Sequence, residues 1–125
     1  MKVSTFLVIK AIVSLAFGLA LALVPAALMG LYGVTLDPAG TLMGRLVGAC
    51  LIGIGLICWL GRNVAGDAQR AITLALFIGD SVGFIVALMA QLSGLMNAVG
   101  WMVVAVWLLL ALGNGYCRFM KLGAA

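Results

Sequence analysis

Four long apolar runs, at about residues 3 to 31, 39 to 61, 69 to 92 and 98 to 117, leave this chain little else to build with. A bilayer crossing needs about 20 predominantly apolar residues, and each run supplies them. Hydrocarbon satisfies no backbone amide, so a spanning segment either closes its own hydrogen bonds as a helix or joins a closed barrel. Barrel strands alternate apolar and polar residues with a period of two; these runs do not, which selects helices. Composition agrees, with 66% hydrophobic and 8% charged residues against about 25% charged in soluble domains. The expected fold is all-α, a single integral membrane domain over residues 1 to 125.

The connections Tyr32 to Pro38, Arg62 to Ala68 and Ser93 to Asn97 are short. Short connections make consecutive helices antiparallel neighbours, so the runs predict an antiparallel four-helix bundle. Asp37 before Pro38 supplies an N-cap and a residue preset for the first helical turn, and Asp67 and Asn97 are expected to cap the third and fourth helices. Pro25 deletes a backbone hydrogen bond and is expected to bend the outer part of the first helix. Lys2, Lys10 and the small residues Pro25, Ala26 and Ala27 loosely fit a cleaved signal peptide. The apolar stretch continues through Leu28, Met29 and Leu31, however, which favours a retained span.

Lys and Arg set the orientation. Lys2 and Lys10 flank the start, Arg62 and Arg70 bracket the second connection, and Arg118 and Lys121 follow the last span, whereas the other connections carry none. Both termini are therefore expected on the cytoplasmic side. Tyr32 and Trp101 fit one interfacial aromatic belt and Trp59 and Tyr116 the other, with Trp107 at mid-span. The net charge of +4 is explained by topology and contact with anionic headgroups; there is no basic stripe for nucleic acid.

Histidine is absent, and Cys50, Cys58 and Cys117 form no C-x-x-C pair. That removes the commonest metal ligand and general base, and leaves the cysteines as small apolar packing residues. No catalytic residue, metal site or cofactor is expected from these residue types, apart from room for a bound lipid or quinone.

Asp80 is the one acidic residue without a capping role, and it falls near the middle of the third run. A carboxylate at bilayer depth costs a few kcal/mol unless it is paired, protonated or wetted. On a helical projection Thr73, Asp80 and Gln91 lie within about 20° of one line, flanked by Phe77 and Phe84 on one side and by Gly79, Gly83, Ala87 and Ala90 on the other. Such a face turns inward or towards a partner protein. On the second helix Gly44, Gly48 and Gly55 share a side and admit a second backbone, while Arg45 lies nearly a quarter-turn from them, about one turn inside the interface, where its head can snorkel outward or reach inward. Counting 1.5 Å per residue, Asp80 lies about 15 Å beyond Arg70 and Lys10 about 12 Å beyond Lys2, which makes Lys10 the favoured partner of Asp80 ahead of Arg45.

Leu31-Tyr32-Gly33-Val34, followed by Arg45-Leu46-Val47-Gly48-Ala49-Cys50-Leu51-Ile52-Gly53-Ile54-Gly55, resembles uncharacterised bacterial four-span membrane proteins with a Gly-Val turn and an Arg-x-x-Gly-x-x-Leu-x-x-Gly helix. The match covers about a quarter of the chain. It implies the four-helix fold and draws attention to Arg45, and it carries no activity with it; the expected location is the bacterial cytoplasmic membrane. Small multidrug transporters have similar size and span number but use an acidic residue in the first helix, where this chain has Lys10.

Three functions are open to such a chain. It is a non-enzymatic accessory or scaffold subunit, packed against other membrane proteins or a second copy through the glycine stripe and the Asp80 face. Alternatively it is a small cation- or proton-coupled transporter in which Asp80 titrates and Thr73 and Gln91 line the route. The third reading is a lipid- or quinone-site protein that uses Trp107, Phe77 and Phe84 around the polar seam.

Overall fold

The computed structural model describes residues 2–121, with side chains as far as Phe119. Lys121, one of the orienting charges, lies outside the described side chains. Among the described residues every regular element is helical: α1 (Val3–Leu23), α2 (Pro25–Leu31), α3 (Pro38–Leu60), α4 (Gly66–Leu92), α5 (Gly100–Gly115) and a π-helical turn, Tyr116–Lys121. Four segments are long and apolar enough to cross a membrane: Val3–Leu23, Pro38–Leu60, Gly66–Leu92 and Gly100–Phe119.

The first apolar run is two helices, which corrects the expectation of one bent helix. Val24 leaves the helical region at φ −135° and ψ 58°, and Pro25 opens α2. Proline has no N–H to return to the carbonyl one turn back, so the ladder breaks where that bond would fall. It resumes when Leu28 N donates to Val24 O at 3.1 Å. Five residues after Leu28, Gly33 takes φ +75°. That conformation lets Gly33 N reach Gly30 O at 3.1 Å and Val34 N reach Met29 O at 3.0 Å, a closure that only glycine makes without strain. Gly94, at φ +81°, ends α4 in the same way, with Leu95 N on Ala90 O at 3.2 Å.

Of the three expected caps, one forms as anticipated. Asp37 precedes Pro38 and accepts from Gly40 N at 2.6 Å. Asp67 lies inside the first turn of α4, behind Ala65 at the N-cap, and makes no capping bond there; its charge still complements the helix dipole. Asn97 stands ahead of α5, where its Oδ1 accepts from Val99 N at 3.0 Å and its carbonyl from Gly100 N at 2.9 Å. It initiates the turn that feeds the helix. Arg62 closes α3 by donating to Trp59 O at 2.6 Å with its guanidinium 4.4 Å from the Trp59 ring centre.

The chain divides into two compact units, Leu7–Arg62 on one hand and the residues up to Phe6 with those from Asn63 onward on the other. Within the first, α1 and α3 meet backbone to backbone at glycines. A Cβ on Gly48 would stand 2.5 Å from Ala22 N and 2.7 Å from Gly18 O, and one on Gly18 would stand 2.9 Å from both Gly48 O and Ile52 N. Further along, a Cβ on Gly55 would lie 2.7 Å from Leu15 Cγ. Gly44 is less constrained, 3.4 Å from Pro25 Cβ. Side-chain-free surface on both helices is what allows this approach.

In the second unit α4 packs on α5 with rings set against glycines. Trp107 covers Gly83, Phe77 covers Gly115 and the Gln91 amide covers Gly100. Phe6 occupies the space beside Gly113, and Ser4 Oγ meets Asn63 Oδ1 at 3.4 Å. Phe77 also meets Phe119 edge to face, with ring centres 5.3 Å apart. Trp59, Trp101 and Tyr116 are exposed, as belt residues would be, whereas Tyr32 is buried beneath the end of α2. Burial pushes its phenol pKa up.

Candidate functional site

The buried residues of α4 are Thr73, Asp80, Ala87 and Gln91. Their spacing of seven, seven and four keeps them on one side of a helix with 3.6 residues per turn, the side on which the sequence aligned its polar groups. Each polar member makes its bond at a separate level. Thr73 Oγ1 lies 2.9 Å from Gln69 O and 3.2 Å from Arg70 O, so its hydroxyl returns to its own helix. Gln91 Nε2 donates to Asn97 O at 3.1 Å and ties the end of α4 to the following loop.

Asp80 is the centre of the site. It is 3% exposed, and its Oδ2 accepts from Nδ2 of Asn114 on α5 at 2.5 Å. Asn114 is fully buried. A carboxylate oxygen takes the amide nitrogen and repels the amide oxygen, so this contact fixes which way the Asn114 carboxamide points. The opposite end of that amide, Oδ1, is buried without a hydrogen-bond partner among the described residues, as is Oε1 of Gln91.

Asn114 is a site residue that the spacing argument missed. It is the lone amide side chain on α5, and a single polar residue among apolar ones makes no pattern. Ser14 was missed as well. It is buried on α1 one turn after Lys10, which is 2% exposed despite its charge; Lys10 and Ser14 belong to the Leu7–Arg62 unit.

Arg45 is exposed on α3. Among the glycines expected at packing faces, Gly48 and Gly55 are buried and Gly83 lies under Trp107, whereas Gly79 is exposed with no atom within 4 Å of its Cβ position. Cys58 and Cys117 are buried, Cys50 is exposed, and all three are free thiols. No cluster of three or more metal-ligating side chains occurs among the described residues.

Chemically, the arrangement is a carboxylate and a carboxamide locked together inside an apolar helix pair. Neither the curated proteins nor the solved structures contain a match to this chain. A family model described as a domain of unknown function, DUF8292, matches residues 1–116, nearly the whole chain, and the protein belongs to that family.

Proposed function

We propose that the protein is a non-enzymatic accessory or scaffold subunit of a bacterial cytoplasmic membrane, packed among lipids against other membrane subunits or a second copy of itself. The observation that carries this reading is the use of the α4 polar face: Thr73 turns back to its own helix, Gln91 holds a loop and Asp80 holds Asn114. The Asp80–Asn114 bond joins α4 to α5 while the other two act locally, which supports a structural seam over a conduction route, where polar groups would stand in relay. Gly79 is the packing-face glycine left uncovered, which supports an external partner on α4.

The proposed architecture is an antiparallel four-helix bundle in a single domain, with both termini cytoplasmic. Contact pairs support it. Along α4 and α5 the partners Phe77 with Gly115, Gly83 with Trp107 and Gln91 with Gly100 descend on one helix as they climb on the other, and Leu15 with Gly55 and Ala22 with Gly48 do the same along α1 and α3. The Lys and Arg placement supports the orientation. The reading needs no metal or cofactor, and Phe77 and Trp107, which a quinone site would use, are engaged in helix contacts.

One observation favours proton or cation coupling as a second reading: Asp80 is buried at mid-span and bonded to Asn114, whose far Oδ1 is buried without a partner among the described residues. Reconstitution separates the two. The scaffold reading expects vesicles containing the wild type to be no leakier to protons than empty ones, with Asp80→Asn assembling normally and Asp80→Leu losing assembly. A proton flux in the wild type that Asp80→Asn abolishes would replace it with the transport reading.

A further inference from the structure

Arg45 is the only charged residue within α3. Its neighbours along the exposed side are apolar: Leu42, Met43, Leu46 and Val47 are each at least half exposed. Seven residues separate it from Pro38, so its Cα sits about 10 Å inside the start of the helix. A cation there must find an anion or reach water.

Helix geometry decides which way it reaches. Side chains on a helix lean towards its N-terminus, so the guanidinium extends back along α3 to the level of Thr41, one turn earlier and on the same side. This places a planar five-donor cation at about headgroup depth, beside a hydroxyl and above apolar side chains.

The chain offers Arg45 no carboxylate. Only three acidic residues exist in the sequence. Asp37 is occupied at Gly40 N and lies about 12 Å further along the axis and to the side. Asp67 starts a different helix, and Asp80 is buried with Asn114. Among the described residues Arg45 makes no hydrogen bond or ion pair.

We propose that Arg45, assisted by Thr41, holds the phosphate of a membrane phospholipid whose acyl chains lie along Leu42, Leu46 and Val47. The fork of the guanidinium matches two phosphate oxygens, and the apolar side chains below it match hydrocarbon. This inference rests on the membrane reading and is independent of the scaffold role.

The test is native mass spectrometry of the purified full chain in mild detergent, with either phosphatidylglycerol or diacylglycerol of the same acyl chains added. The wild type retains phosphatidylglycerol and does not retain diacylglycerol, which lacks the phosphate. Arg45→Gln lowers the retained fraction about tenfold, the loss expected for one charge-assisted contact, and Arg45→Lys falls between because a compact ammonium cannot bind in a fork. Should Arg45→Gln lose helicity, the wild-type contrast between the two lipids and the rank of Arg45→Lys decide the matter. The proposal is overturned if Arg45→Gln retains phosphatidylglycerol like the wild type, if diacylglycerol binds equally, or if inorganic phosphate displaces the lipid and so marks a free-anion site. Loss of a protein partner from Arg45→Gln with lipid retention unchanged would also overturn it, by assigning Arg45 to a carboxylate on that partner.

Discussion

Asn114 donates its amide to the Asp80 carboxylate at 2.5 Å, the most deeply buried polar contact between α4 and α5 for which both partners are identified. Trp107 against Gly83 and Phe77 against Gly115 are apolar contacts without direction, so the directional Asp80–Asn114 bond helps specify where the two helices stop sliding past each other. A buried polar pair in an apolar setting fixes register more than it adds stability, since its alternative is a partner left unsatisfied.

Substitution should expose that asymmetry. Asp80→Asn keeps an acceptor for the Asn114 amide and should cost about 1 kcal/mol, whereas Asp80→Leu strands that amide and should cost about 2–3 kcal/mol. Asn114→Leu should resemble the latter. Unfolding in mixed detergent micelles, followed by circular dichroism, measures all three, and equal losses for Asn and Leu at position 80 would contradict the register argument.

Gly48 and Gly53 form an internal comparison on α3. A side chain at Gly48 meets Ala22 and Gly18 backbone, which cannot move aside, while Gly53 has nothing within 4 Å. Gly48→Leu should therefore destabilise by about 3 kcal/mol or more through forced separation of α1 and α3. Gly53→Leu should stay within about 0.5 kcal/mol of the wild type. Thermal melts of the two variants in one detergent provide the check.

Gly79 tests the partner. Its Cβ position is open within the chain, so Gly79→Leu should leave intrinsic stability within about 0.5 kcal/mol. If another subunit or a second copy packs there, the same variant should elute smaller on size exclusion from membranes solubilised gently. An unchanged assembly would move the partner face elsewhere.

What the sequence disclosed followed from periodicity. Apolar runs longer than a bilayer located all four spans, and the helical period of 3.6 residues aligned Thr73, Asp80 and Gln91 on the side of α4 that is buried. The stripe of Gly48 and Gly55 was legible for the same reason. Its counterpart was not, because Gly18 stands alone among Ala and Leu on α1 and a single glycine makes no pattern. Asn114 was not legible as a partner either, because it is the lone amide side chain on α5 and makes no pattern. The break at Val24 was half legible: Pro25 announces a missing hydrogen bond, but whether a helix bends or stops depends on the φ and ψ of the residue before it.

The final prediction concerns Gly83 and Trp107. The indole lies so close over Gly83 that any Cβ there would overlap its six-membered ring. Gly83→Ala should thus push α4 from α5 and cost about 1–3 kcal/mol by overpacking, and Trp107→Ala should cost about 3 kcal/mol or more by leaving a void. The two losses should not add. Once the indole is removed, a methyl at position 83 fills part of the space, so the double variant should be more stable than the sum of the single losses implies, by about 1 kcal/mol or more. A double-mutant cycle in detergent gives the coupling energy, and a value near zero would mean that Trp107 does not pack on this glycine.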